Sequence, residues 1–242
     1  MASNLSDKLL NSFNLKDETS FFKLKELLDI AARALSNDGV LPSDPNKLAG
    51  FSLAQECLIG LRKGRKNLTR DGILYKGRPS FITDDLLQAL QYEMEELRST
   101  AKLDRWDQYI SQPGPLIRGI SESKELLNLV QELVGPVHKE VDTTCMYYDK
   151  AGAQIPPHVD VDNFSVNANL LITHKVGGEQ KSDFILYPVG SDPHRLIYRP
   201  GDLLIFYADC IVHSRTPIAK GEKVHAVSIG FRPMGELHMD ER

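Results

Sequence analysis

Two of the seven histidines in this 242-residue chain stand in company that can do chemistry. In the segment Ile155-Pro156-Pro157-His158-Val159-Asp160, His158 and Asp160 are two positions apart. In an extended segment that spacing sends both side chains from one face. An imidazole and a carboxylate can then take adjacent positions on a single metal ion. Pro156 and Pro157 stiffen the approach and remove a donor from what would be a strand edge. His213 follows 53 residues after His158 (213 − 158). Two histidines and one carboxylate on a β scaffold form a facial triad that leaves positions open on Fe(II). Zn(II) carrying a water suits the same donors, so ligand identity alone does not choose the metal. The other histidines read as structural. His138, His194 and His238 stand beside turns or the C-terminus, where solvation is expected, and His174 and His225 lie on strand candidates as core residues.

If these ligands are to converge, a β scaffold must carry them. From about residue 139 apolar residues recur with period two, and β-branched and aromatic residues accumulate. Strands are predicted in EVDTTCMYY, SVNANLLITH, DFILYPV, HRLIYR, DLLIFYA and VHAVSIGF, with shorter ones around His158 and His213. Lys-Ala-Gly, Val-Gly-Gly, Gly-Ser-Asp-Pro, Arg-Pro-Gly-Asp and Lys-Gly-Glu separate them as turns.

Up to about residue 136 the period is helical instead. A helix is predicted in DETSFFKLKELLDIAARALS, with Phe22, Leu24, Leu27, Leu28, Ala31, Ala32 and Leu35 as its apolar repeat. SNDGVLPSDPNKLAG reads as a loop and SLAQECLIGLRKGRK as a second helix. A third runs through TDDLLQALQYEMEELRSTAKL, entered through Thr83 with Asp84 and Asp85 in its first turn. A fourth, SESKELLNLVQELVGP, is capped by Ser121 and ended by Gly135 and Pro136. The basic run Arg62-Lys63-Gly64-Arg65-Lys66 reads as a solvated helix end. The expected architecture is α+β. A helical region over 1–136 buttresses a β sandwich or barrel over 137–242.

Bulk properties narrow the partners. A net charge of −4 and a pI near 6.0 provide no basic field for phosphates, so no nucleic acid is expected. No run of about eighteen apolar residues predicts a membrane span, and the first residues contain no apolar signal core. Cys57, Cys145 and Cys210 are odd in number and widely spaced, which suits buried thiols in a reducing cytoplasm.

Four segments, in order, resemble the double-stranded β-helix 2-oxoglutarate oxygenases, most closely their prolyl 4-hydroxylase-like branch, over roughly Thr143 to Arg232. YYDKAGAQIPPHVD is similar to that branch's tyrosine, glycine turn and Pro-His-x-Asp. KVGGEQKSDFILYP resembles its Gly-Gly turn into a strand, and RPGDLLIFYAD the turn and apolar strand before the distal histidine. HSRTPIAKGEK resembles its His-x-x-x-Pro segment with a basic residue ten positions after the histidine.

The resemblance implies a jelly-roll (cupin-like) core with Fe(II) held by His158, Asp160 and His213. It implies 2-oxoglutarate and O₂ as cosubstrates, and ascorbate as a stimulant. Lys223 matches the cation for the cosubstrate's C5-carboxylate, with Arg232 as its rival, and Tyr148 matches a tyrosine whose hydroxyl helps hold the cosubstrate. Lys223 and Arg232 have opposite strand parity, so both face inward only across a bulge. Related halogenases lack the carboxylate, so Asp160 favours hydroxylation. The expected activity is oxidation of a C–H bond of a small molecule, an amino-acid derivative or natural-product intermediate, with release of succinate and CO₂. The alternatives are a prolyl-type hydroxylase acting on a protein and a non-catalytic cupin-like metal-binding protein; a nucleic-acid demethylase fits the acidic balance less well. Substrate does not travel with fold, and the sequence leaves the oligomeric state open.

Overall fold

The computed structural model describes residues 3–33, 38–104, 106–178 and 181–236. His238 lies outside them. The period-two segments become β4 (Asp142–Tyr148), β5 (Ile155–His158), β6 (Val166–Lys175), β7 (Phe184–Leu186), β8 (His194–Leu196), β9 (Leu203–Phe206), β10 (His213–Arg215) and β11 (Lys223–Phe231). They alternate between two antiparallel sheets, with β4, β6, β9 and β11 in the larger and β5, β7, β8 and β10 in the smaller. Phe184 of β7 meets Phe206 of β9 edge-on, with centroids 5.9 Å apart, so apolar faces of the two sheets pack on each other. This is the expected double-stranded β-helix, a jelly roll.

The first half of the chain contributes strands as well as helices. β1 (Ile73–Gly77), β2 (Lys102–Leu103) and β3 (Tyr109–Ser111) extend the larger sheet to the order β1-β9-β6-β11-β4-β3-β2. Each is too short for its periodicity to register, and pairing with a long neighbour supplies the ladder that alone would not hold it. The helices are α1 (Ser3–Asn11), α2 (Glu18–Ala32), α3 (Pro45–Leu61), α4 (Asp84–Arg98), α5 (Pro115–Ser121) and α6 (Lys124–Val134). Thr83 caps α4 as expected, its side chain accepting from the Leu86 N–H. Helix α6 is capped by Ser123 rather than Ser121, because α5 ends at Ser121. Helix α3 starts seven residues before the expected segment, so the last six residues of the expected loop are helix. Its signals were present in Asp44, which accepts from the N–H groups of Asn46 and Lys47, and in Pro45 at the first turn.

Two corrections concern charge. The buried face of α2 is Phe21, Leu24, Lys25, Leu28 and Ala32, whereas Leu27, Ile30 and Ala31 are exposed. The basic run after α3 is also not simply solvated. Lys63 and Lys66 are exposed, but the Arg62 and Arg65 guanidinium groups are buried and both pair with Asp209; Arg65 also binds Glu236, and Arg62 reaches Asp162. Burial would raise the Asp209 carboxyl, but the two arginines outweigh that and hold it well below the usual carboxylate range. The three cysteines are free and buried. Among the described residues no helix is long and apolar enough to cross a membrane.

His174 Nε2 donates to the Glu222 carboxylate at 2.8 Å, a satisfied histidine. His225 differs: it is fully buried edge-on against Tyr147, with centroids 4.9 Å apart, and neither ring nitrogen has a hydrogen-bond partner among the described residues. Burial, followed by the Lys223 charge and opposed by Glu95, pushes its pKa down from 6.5 to about 4. The unfolded chain therefore binds a proton that the folded chain does not between those values. Stability is complete above about pH 6.5 and falls as pH drops toward 4, by about 3 kcal/mol at most for a shift of this size. A His225→Leu variant should flatten that part of the stability profile, as measured by urea unfolding at pH 7 and pH 5.

Candidate metal centre and its cavity

β5 delivers His158 at its last position, and Asp160 follows in the irregular segment before β6. β10 pairs with β5 so that His213 lies directly opposite His158. The three ligand atoms come together from that register. His158 Nε2 lies 3.3 Å and His213 Nε2 3.4 Å from the same oxygen, Asp160 Oδ1. The donor atoms of all three residues fall within 4.8 Å of one another. Adjacent ligands about 2.1 Å from one octahedral ion lie about 3 Å apart, so the spacing fits a facial set.

Hydrogen bonds settle which nitrogens face the centre. His158 Nδ1 is 2.8 Å from the Pro156 carbonyl and His213 Nδ1 is 3.0 Å from the Ile211 carbonyl. A carbonyl only accepts, so Nδ1 carries the proton in both rings and the Nε2 lone pairs point inward. Phe184 stacks on the His213 ring and Phe206 meets it edge-on, at 5.7 and 4.9 Å, which fixes its orientation. Asp160 Oδ2 accepts from Asn167 Nδ2 at 2.8 Å, and Asn167 Oδ1 accepts from the Ser228 hydroxyl at 2.9 Å. The Asn167 N–H donated to Oδ2 favours the ionised form of the Asp160 carboxyl. An ionised carboxylate and two imidazole lone pairs aimed at one point repel one another until a cation joins them. The residues present therefore fit a divalent metal.

The triad opens on a narrow cavity between the sheets. Its inner part is lined by Tyr148, Asn169, Phe184, Arg215 and Ser228. Arg215 follows His213 by two on β10, so both leave the same face of the strand. The Arg215 guanidinium is 5.1 Å above the Tyr148 ring, and Nη1 donates to the Ser182 hydroxyl at 3.3 Å. Ser182 in turn donates to Glu222. Arg215 is only 4 % exposed, yet it forms no ion pair with a carboxylate among the described residues. Asn169 lines the cavity with its carbonyl oxygen held by the Tyr198 hydroxyl at 2.9 Å.

Of the residues singled out in the sequence, His158, Asp160, His213 and Tyr148 meet around this cavity. Lys223 does not. It starts β11 on the face toward α4, where Nζ binds Glu95 at 3.0 and 3.2 Å in a partly exposed pair. Ala226 and Ser228 are the β11 residues on the cavity side, and a register shift separates His225 from Ala226. Arg232 lies beyond β11, 4.0 Å from Glu140. Sequence reasoning missed Arg215, although the two-residue alternation that linked His158 with Asp160 also links His213 with Arg215. It missed Asn167 and Asn169 too, whose alternate placement in an otherwise apolar strand was the available signal.

The same fold occurs in a Pseudomonas putida prolyl-4-hydroxylase, with a TM-score of 0.56 at 18% identity, over 68% of this chain and 94% of that one. It also occurs in the non-haem α-ketoglutarate-dependent epimerase SnoN from nogalamycin biosynthesis, solved with Fe3+, α-ketoglutarate and nogalamycin RO. There the TM-score is 0.55 at 16% identity, over 76% and 88% of the two chains. A prolyl 4-hydroxylase from Phytophthora capsici gives 0.56 at 14% identity, over 71% of this chain and 62% of that one. No protein-family model matches the sequence, and no curated protein matches it. Fold and side-chain geometry together define a jelly-roll protein with a His-Asp-His cluster at the cavity between its sheets.

The Asn167 contact gives a direct check on the centre. Asn167→Ala removes the donor to Asp160 Oδ2 and leaves the Ser228 hydroxyl without its acceptor. Affinity for Fe(II), titrated anaerobically, should fall about ten- to a hundredfold. Unfolding free energy should fall by about 1–3 kcal/mol.

Proposed function

We propose that this protein is a non-haem Fe(II)- and 2-oxoglutarate-dependent dioxygenase that hydroxylates an unactivated C–H bond of a small molecule. The observation that carries the reading is the pairing of a facial His158-Asp160-His213 set with a buried guanidinium, Arg215, on the same strand face and in the same cavity. A buried charge without a carboxylate is costly. A dicarboxylate cosubstrate that chelates the metal at one end and meets Arg215 with the other explains both features at once. Arg215 thus takes the anchoring role that spacing had suggested for Lys223, and its planar fork suits a carboxylate better than an ammonium does.

When bound, the iron supplies oxidation by O₂, coupled to conversion of 2-oxoglutarate into succinate and CO₂. The protein's own groups bind and orient. Arg215 offers guanidinium donors on the cavity wall, two residues from His213. The Tyr148 hydroxyl makes only a weak contact with the Met146 sulfur, at 3.8 Å, and is placed to donate to the cosubstrate. Phe184 and Phe206, packed on His213, keep water from the ligand rings. Structural neighbours named as hydroxylases and as an epimerase show that one fold serves several outcomes. Asp160 supports hydroxylation here, since it fills the position that halogenases leave open. The narrowness of the cavity supports a small molecule over a folded protein as substrate.

Succinate release that depends on both Fe(II) and 2-oxoglutarate is the decisive assay, and its absence in protein freshly loaded with both would refute the proposal. Arg215→Met should raise the apparent constant for 2-oxoglutarate about ten- to a hundredfold, the loss expected of a charge-assisted contact worth about 1.5–3 kcal/mol. Lys223→Met should leave that constant unchanged. The reverse pattern would return the anchor to Lys223.

A further inference from the structure

The polypeptide around the carboxylate ligand has no sheet ladder of its own. β5 ends at His158, and Val159, Asp160 and Val161 belong to no strand. The Asp160 N–H reaches the Ala208 carbonyl at 2.8 Å. Two other backbone groups of this turn are held by side chains more than a hundred residues away, on α2. The Val159 N–H donates to Asp29 Oδ1 at 2.9 Å, and the Asp160 carbonyl accepts from Lys25 Nζ at 3.1 Å.

Lys25, Asp29 and Arg33 are spaced by four and so form one stripe along α2 and its C-cap. Each member secures the next contact. Lys25 is buried and also binds Asp162 at 2.6 Å, so its ammonium is gripped between the ligand turn and the residue that starts the following helical turn. Arg33 binds the second oxygen of Asp29, leaving Oδ1 for the Val159 N–H. The Arg33 guanidinium lies 5.6 Å over the Trp106 ring. An ammonium buried on the inward face of an otherwise apolar helix is unfavourable unless its bonds are fully used. Here they are used on the backbone of a metal ligand.

We propose that Lys25 and Asp29 are positioning residues for the metal centre. They fix the peptide groups on either side of the Val159–Asp160 unit, so that the Asp160 carboxylate and His158 address the same point. The inference rests on the metal reading of the triad and assigns α2 a role in the site beyond covering the β core.

Co(II), which gives visible d–d absorption in such sites, is the probe, titrated into the full chain without cosubstrate. Lys25→Met and Asp29→Ala should each weaken Co(II) binding about ten- to a hundredfold. Asp29→Asn, which keeps an oxygen for the Val159 N–H, and Lys25→Arg should restore most of that loss. Hydrogen exchange at the Val159 amide should quicken in Asp29→Ala and not in Asp29→Asn. Arg98→Met, which breaks the Arg98–Asp149 pair away from the turn, should lower Tm without moving Co(II) affinity. Should Lys25→Met fail to fold, Asp29→Ala decides, because that side chain is 14 % exposed and belongs to no buried apolar cluster. Co(II) affinity of Asp29→Ala within about twofold of the parent would overturn the proposal, given the usual size of such effects. A parent protein that binds no Co(II), or binds it equally after His158→Ala, would instead overturn the metal reading itself.

Discussion

Three electron-pair donors aimed at one point repel one another, and the protein must hold them there before any cation arrives. His158, Asp160 and His213 come from segments that the chain brings together only through β5–β10 pairing. Each is then restrained from behind. Backbone carbonyls at Pro156 and Ile211 hold the two imidazoles, and Asn167 holds the carboxylate. The jelly roll supplies this because its alternating strands place residues of two sheets around one interior. Rigidity of the scaffold takes the place of the missing attraction.

The same balance explains where charge is buried elsewhere. Among the described residues Arg215 has no carboxylate partner, whereas Arg62 and Arg65 are matched by Asp209, Asp162 and Glu236. A protein interior tolerates both arrangements for different reasons. The matched network ties the turn after α3 to Asp162, Asp209 and Glu236 in the β half of the chain, and compensates its own desolvation. The unmatched guanidinium is a cost borne by the folded protein until an anion enters. On the proposed function, its position two residues from His213 would tie that anion to the chemistry of the centre.

The helical first half of the chain is more than a buttress in this arrangement. Strands β1 to β3 widen the larger sheet, the turn that ends α3 carries the buried arginines, and α2 reaches the segment around Asp160 through Lys25 and Asp29. These contacts share one property: each joins residues far apart in sequence by polar groups rather than by apolar packing. Hydrophobic periodicity does not report such contacts, which is why Arg62 and Arg65 read as a solvated helix end and Lys25 fell outside the apolar repeat of α2.

What the sequence by itself determined follows from local geometry. Alternation with period two marked the main strands, and the same alternation placed His158 beside Asp160. Thr83 marked the start of α4 by the chemistry of a single cap. What only the tertiary structure decided depends on which face of a strand meets which neighbour. Lys223 stands ten residues after His213, but β11 turns it toward α4 and gives the cavity side to Ala226 and Ser228. A register shift between His225 and Ala226 separates spacing along the chain from direction in space. Arg215 is the converse case: parity alone put it on the face of His213, but its significance lay in having no acidic partner among the described residues, a property of the assembled interior that no stretch of sequence carries.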